Sequence, residues 1–246
     1  MMEDEDLAGV AVVTPPNTHL ELAEILMAED IPLFVEKPLS DDHEGATAFL
    51  RNLPESTILI TGYLLRHHAG LQRMKAAIED RELSVDVLSY QRRTKRPKPV
   101  GMDAVSTLAV HGLDATTFLL GAPLMSMDIT QFKRSPTSAQ IWLHHEGRTV
   151  LVDVAWEAEE EQRLIGVQGA QRGAVLDFGT GEFSWHAESG SDEKPLVEHF
   201  TTEPLEQEWL YFLEKISGQT PCVFPPTSDL VDISAWLKEH GGHESP

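Results

Sequence analysis

The sequence predicts an α/β unit followed by an α+β domain: a small parallel sheet with crossover helices over residues 1–63, then a domain built on a large, mainly antiparallel open sheet over residues 64–246. Three observations predict it. Short, nearly continuous apolar runs at residues 7–13, 32–36 and 57–63 alternate with helix-length amphipathic stretches, the pattern of parallel strands buried on both faces. After Tyr63 come several strand-like runs separated by turn residues, with alternation in Met125, Met127, Ile129 and in Ala139, Ile141, Leu143 that suits an antiparallel meander. Two helical patterns then close the chain, and the last is free to pack back on the first domain.

Taken in order, the first strand stops at Thr14-Pro15-Pro16-Asn17. The helix after it has Thr18 and Glu21 in capping-box spacing and Leu20, Ala23, Leu26 and Met27 on one face. The second strand ends at Glu36-Lys37-Pro38. Ser40 is the expected cap of the next helix, with Asp41 and Asp42 in its first turn, where the helix dipole favours acids, and Ala46, Phe49, Leu50 and Leu53 inside. Strand–helix alternation with short connections implies right-handed crossovers, and ligands in such sheets sit at the carboxyl ends of the strands. Leu71, Met74 and Ile78 mark a further helix, and residues 85–90 a strand. A long helix follows over about residues 103–120, with Gly121 as its stop and a stripe of Leu108, Gly112, Ala115 and Leu119. Strands are expected at 125–132, 140–145, 149–156, 163–168, 174–178 and 182–185, and residues 189–194 read as a surface loop. Pro204 opens the first closing helix, with Leu205, Trp209, Phe212 and Ile216 inside; Leu230, Ile233 and Trp236 line the second.

Composition narrows the function. A net charge of −21 argues against nonspecific binding to nucleic acid or to an anionic membrane. The basic run from Arg92 to Lys98 reads as a solvated strand end or loop. One cysteine, Cys222, excludes an internal disulfide and suits a reducing compartment. The N-terminus is acidic where a secretory signal is basic, and no run approaches the ~20 apolar residues that span a bilayer, so a cytoplasmic protein is expected. No metal site is expected: His67-His68 and His144-His145 are adjacent pairs whose side chains diverge, and His144-His145-Glu146-Gly147 reads as a hairpin turn.

Three features could carry chemistry: Thr14-Pro15-Pro16-Asn17-x-His19, Glu36-Lys37-Pro38, and His111-x-x-Asp114 on the long helix. His111 and Asp114 are three apart and share a helix face, which Thr107 and Phe118 extend by a turn each way. A histidine beside a carboxylate can move a proton, and a lysine can stabilise developing negative charge on oxygen. Singly, each has an ordinary reading: Lys37 as a solvated strand-end cation, His111 and Asp114 as polar helix residues, the prolines as a strand stop.

Together and in this order they resemble the Gfo/Idh/MocA family, named for glucose-fructose oxidoreductase and inositol dehydrogenase. Its members carry T-P-x-x-x-H, then E-K-P, then G-[FY]-x-x-R, then H-x-x-D; the counterparts are Thr14, Pro15, Asn17 and His19; Glu36, Lys37 and Pro38; Gly62, Tyr63 and Arg66; and His111 and Asp114. The resemblance covers almost the whole chain. It implies NAD or NADP as cofactor, with Thr14, Pro15, Asn17, His19, Glu36 and Lys37 on the cofactor side. It implies a sugar, cyclitol or related substrate met by Tyr63, Arg66 and Thr107. Lys37 would stabilise the substrate oxygen, His111 would take the hydroxyl proton, and Asp114 would position substrate or imidazole. A homo-oligomer through the open sheet is also implied. Two departures stand out. Thr107 occupies a position where many members have aspartate. Members also begin with a strand, a G-x-G-x-x-G turn, a helix and a second strand, and this sequence begins after them, as a partial, N-terminally truncated Rossmann domain. Its nearest imitation, Gly179-Thr180-Gly181-Glu182-Phe183-Ser184, lies between short strands with no helix following. The expectation is therefore an NAD(P)-dependent oxidoreductase, impaired as the chain stands, with weak or absent cofactor binding. The alternative is a non-catalytic binding or regulatory relic of the same family.

Overall fold

The computed structural model describes residues 7–187, 196–200 and 203–241; the loop expected at 189–194 lies outside them. The elements in order are β1 (Val10–Val12), α1 (His19–Met27), β2 (Leu33–Val35), α2 (His43–Arg51), β3 (Ile58–Thr61), α3 (Ala69–Glu79), β4 (Val87–Arg93), α4 (Val110–Leu120), β5 (Asp128–Arg134), β6 (Ser138–His145) and β7 (Arg148–Ala155). They continue with β8 (Gln162–Gln168), β9 (Arg172–Asp177), β10 (Glu182–Ala187), β11 (Leu196–His199), α5 (Pro204–Ser217), β12 (Cys222–Phe224) and α6 (Thr227–His240). The chain divides into two compact units, Met1–Leu64 with Glu203–Glu239, and Leu65–Thr202 with His240–Pro246.

The first unit is a parallel sheet in the order β1-β2-β3-β12. Its central strand β2 is Leu-Phe-Val with every side chain buried, which is why the sequence shows a run and not an alternation. Phe34 of β2 stacks on Trp209 of α5 with ring centroids 4.8 Å apart, and Ile58, Ile60 and Phe212 complete this core. Residues 203–239, read in the sequence as part of the second domain with only the closing helix packing back, group with the first unit because β12 pairs with β3. A three-residue strand between two helices leaves no periodic signal. Two caps also differ from expectation. Asp42, not Ser40, caps α2 by accepting from the Gly45 N–H at 3.0 Å. Thr18 makes no cap bond because its hydroxyl donates to the Pro15 carbonyl across a 3-10 turn.

The second unit carries an eight-stranded sheet in the order β11-β10-β9-β8-β4-β7-β6-β5. It is mainly antiparallel, but the expected meander is interrupted. β4 inserts between β7 and β8, parallel to the first and antiparallel to the second. β11 adds an edge strand that the sequence reading does not include. The buried face is built in register, with Leu88 between Val150 and Val167, and Tyr90 between Val152 and Ile165. Against it lies α4, where Gly112 has a structural reason: a Cβ there would meet the Tyr90 ring at 2.3 Å. The expected continuous helix from residue 103 instead begins as a π turn, Val105–Ala109, closed by the Val110 N–H on the Val105 carbonyl. The β6–β7 hairpin turns through Glu146 (φ 49°) and Gly147 (φ 81°), two left-handed residues as a tight two-residue hairpin requires. Gly179 to Gly181 likewise forms the β9–β10 turn.

Candidate functional site

The sequence-predicted residues fall into two groups, one in each unit. In the first unit, Thr14, Pro15, Asn17, His19, Glu36, Lys37 and Tyr63 all follow the carboxyl ends of β1, β2 and β3. Thr14, Pro15 and Asn17 are exposed, whereas His19 is buried at 1% exposure. The His19 ring joins two turns: Nε2 lies 2.6 Å from the Thr14 carbonyl and Nδ1 2.9 Å from the Pro38 carbonyl. Its position in the motif is thereby explained, because one side chain from the start of α1 fixes both the post-β1 and post-β2 turns. A hydroxyl contact between Thr14 and Thr18, 2.6 Å long, closes the first turn further.

Glu36 folds its carboxylate back on the Lys37 N–H at 3.2 Å, and Gly62 leaves room for it, since a Cβ at 62 would sit 2.8 Å from Glu36 Oε2. Burial lowers Lys37 from 10.5 to about 8, with the neighbouring Glu36 charge pulling partly the other way. Tyr63 is buried, at 3% exposure. Sequence reasoning missed Thr61 at the end of β3, whose buried hydroxyl has no hydrogen-bond partner among the described residues. The signal was available: a threonine closing an otherwise aliphatic strand at its carboxyl end.

The second group contains Arg66, Thr107, His111 and Asp114. Arg66 and Asp114 form a buried pair, with exposures of 2% and 1%. Nε and Nη2 of Arg66 lie 2.9 and 2.8 Å from the same Asp114 oxygen. Arg66 also reaches the Thr117 hydroxyl at 3.3 Å and lies 5.4 Å from the Phe118 ring centroid. Thus two motif residues expected to meet substrate are bonded to each other. His111 is half-buried on α4, one turn after Thr107. Thr107 accepts the Trp156 indole N–H at 3.2 Å and donates to the Asp103 carbonyl. His67, beside Arg66, is held well below its ordinary value, at about 4, first by burial and then by the Arg66 charge.

Arg92 pairs with Glu161 at 2.9 Å, Arg93 with Asp153 at 2.5 Å, and the Lys98 Nζ donates to the Met102 carbonyl at 3.0 Å. The exposed Glu161 is accordingly lowered to about 2, chiefly by its hydrogen bond from Arg92. Among the described residues no His, Cys, Asp and Glu cluster is arranged to hold a metal ion, and no helix is long and apolar enough to cross a membrane.

No protein-family profile matches the sequence. The UDP-N-acetylglucosamine 3-dehydrogenase of Acidithiobacillus ferrooxidans is 30% identical over 180 residues, covering 70% of this chain and 56% of the relative. An inositol 2-dehydrogenase of Rhodococcus jostii is 24% identical over 200 residues, 72% of this chain and 55% of its own. The chain therefore spans about half the length of the curated relatives it matches. Among solved structures, the Acidithiobacillus ferrooxidans enzyme superposes with a TM-score of 0.79 at 22% identity, over 95% of this chain and 77% of that one. KijD10, a 3-ketoreductase from Actinomadura kijaniata solved with TDP-benzene and NADP, does so with a TM-score of 0.78 at 16% identity, over 95% and 76%. These structural likenesses show the fold alone, a Rossmann-type parallel sheet and a large, mainly antiparallel sheet. Four ordered motifs at strand ends and on one helix, together with dehydrogenase relatives across most of its length, support assignment of the chain to the Gfo/Idh/MocA family.

Proposed function

We propose that this chain carries the nicotinamide-side and substrate-side residues of an NAD(P)-dependent oxidoreductase acting on a hydroxyl or carbonyl of a sugar, cyclitol or related small molecule. The observation that carries the reading is Lys37: a lysine at the end of β2, lowered to about 8 by burial and flanked by a carboxylate that Gly62 makes room for. A desolvated lysine of this kind is costly to keep and is a common catalytic device.

The first unit's residues suit the nicotinamide-ribose end of the cofactor. The Glu36 carboxylate is a ribose-hydroxyl acceptor, the exposed Thr14 turn is a rim, and the orphaned Thr61 hydroxyl is a donor–acceptor at the β3 end. A nicotinamide bound there supplies a hydride acceptor or donor. Lys37, still mostly protonated at neutral pH, donates to the substrate oxygen and holds its negative charge as the carbon changes oxidation state. By the family resemblance, His111 takes the hydroxyl proton in oxidation and returns it in reduction. Asp114 is bonded to Arg66, so its proposed role is to hold that arginine against α4 and not to exchange protons. Relatives that act on UDP-sugar and inositol support a polyhydroxylated substrate. A second copy on the open face of the large sheet is the proposed partner, and the cytoplasm the proposed compartment.

Thr107, a residue that cannot ionise placed one turn before His111, favours a second reading, a binding or regulatory relic. The two separate in one experiment, in which nicotinamide reduction is followed over a panel of nucleotide-sugars and cyclitols with wild type, Lys37→Ala and His111→Asn. Slow turnover that falls at least tenfold in both variants supports the oxidoreductase. Turnover unchanged in Lys37→Ala removes Lys37 from the mechanism, and saturable sugar binding without any turnover leaves the relic.

A further inference from the structure

We propose that Trp156, which no motif marks, is a positioning residue for His111, acting through Thr107 and the π turn that leads into α4. The inference rests on the reading of His111 as the proton-transfer residue for its functional meaning, while the geometry stands apart from that reading.

The π turn Val105–Ala109 lies immediately before His111. π turns inside helices are rare and concentrate at functional sites. Thr107 is its middle residue. Its hydroxyl donates to the Asp103 carbonyl four residues back, a side-chain bond that competes with helix backbone pairing and bends helices. The same oxygen accepts the Trp156 indole N–H at 3.2 Å. Trp156 itself follows β7 directly, and its backbone N–H is held by the Thr137 carbonyl at 2.8 Å, so the indole is referenced to the sheet. At the other end Asp103 caps the segment, accepting from the Val105 and Ser106 N–H groups at 2.7 and 3.1 Å. A chain of bonds therefore runs from the sheet through Trp156 and Thr107 to the Asp103 carbonyl. It fixes the turn from which His111 is presented one turn later. A π turn rotates less per residue than an α turn, so Thr107 and His111 lie close to one line along the helix. Where a carboxylate at position 107 could have acted on the imidazole by charge, this chain uses a hydroxyl held in place by an indole.

The test reads the His111 ring, not turnover. Protein labelled with ¹³C in its histidine rings gives a His111 signal, assigned by its loss in His111→Asn. Trp156→Phe keeps the aromatic ring and removes the N–H. It should move the His111 signal and speed amide exchange at Val110 and His111 about fivefold, the scale of one lost hydrogen bond. The His68 and His145 signals should stay in place. Thr107→Val should do the same, Thr107→Ser should behave as wild type, and the Trp156→Phe/Thr107→Val double variant should go no further than Thr107→Val alone. An unmoved His111 signal with unchanged exchange in Trp156→Phe overturns the proposal, as do additive effects in the double variant. Where Trp156→Phe does not fold, the Thr107→Val and Thr107→Ser pair decides: different His111 signals support the proposal, and identical ones overturn it. A wild type that binds a sugar saturably without any turnover refutes the oxidoreductase reading and leaves this result intact.

Discussion

Replacing Lys37 by methionine should stabilise the protein at neutral pH. Burial lowers this lysine from its ordinary 10.5 to about 8. At about 1.4 kcal/mol for each tenfold change in proton affinity, the charged side chain costs the folded state up to ~3 kcal/mol. Lys37 keeps part of its surface in water, and its loss removes the attraction to Glu36, so the expected gain for Lys37→Met is ~1–3 kcal/mol. The sign fixes a pH window. Between about pH 8 and 10.5 the unfolded chain holds the lysine proton and the folded chain has released it, so stability rises with pH. The penalty is therefore full below about pH 8 and gone above 10.5, and the advantage of Lys37→Met should shrink across that window. Urea unfolding of both proteins at about pH 7 and about pH 10 measures it directly, because other titrating groups cancel in the difference. A variant less stable at pH 7, or an advantage of equal size at both pH values, refutes the reasoning.

Two further predictions concern the second unit. His67, lowered from 6.5 to about 4, stays neutral in the fold while the unfolded chain protonates near 6.5. Stability should then be lost as pH falls from about 6.5 to 4, by ~1–2 kcal/mol after allowing for partial exposure. His67→Asn should flatten that loss, seen as a smaller drop in melting temperature between about pH 7 and pH 5. Asp114→Asn removes the carboxylate charge bonded to the Arg66 guanidinium, which is buried at 2% exposure, and should cost ~3–5 kcal/mol in denaturant unfolding. Asp114→Asn/Arg66→Met should recover part of this, and a cost under 1 kcal/mol would show that the pair is not structural.

Much of the fold was legible because burial on both faces writes continuous apolar runs, as at β2, and burial on one face writes alternation, as at Ala139, Ile141 and Leu143. What escaped was non-local. Whether β4 lies beside β7 or beyond β8 depends on which edge a crossover reaches, and nothing in the residues 87–93 encodes that. β12 was invisible because three residues show no period, and the π turn because one inserted residue leaves the apolar stripe of α4 intact. The candidate residues stood out as motifs, but their partners did not. That His19 ties two turns together, that Arg66 and Asp114 bond each other, and that Thr107 answers to Trp156 are facts of tertiary contact, 19, 48 and 49 residues apart in sequence.

The central claim, that the described residues form the nicotinamide-side part of a dinucleotide site, is tested most directly by comparing nicotinamide mononucleotide with NAD and NADP in calorimetric titrations of this chain. A helix N-terminus behind a glycine turn is what normally holds the pyrophosphate. Without that pattern, the account predicts weak binding, with the dinucleotides no more than about threefold tighter than the mononucleotide, well under the ~1.4 kcal/mol of a tenfold difference. Dinucleotide binding a hundredfold tighter would contradict it, showing that other residues of this chain hold the phosphates.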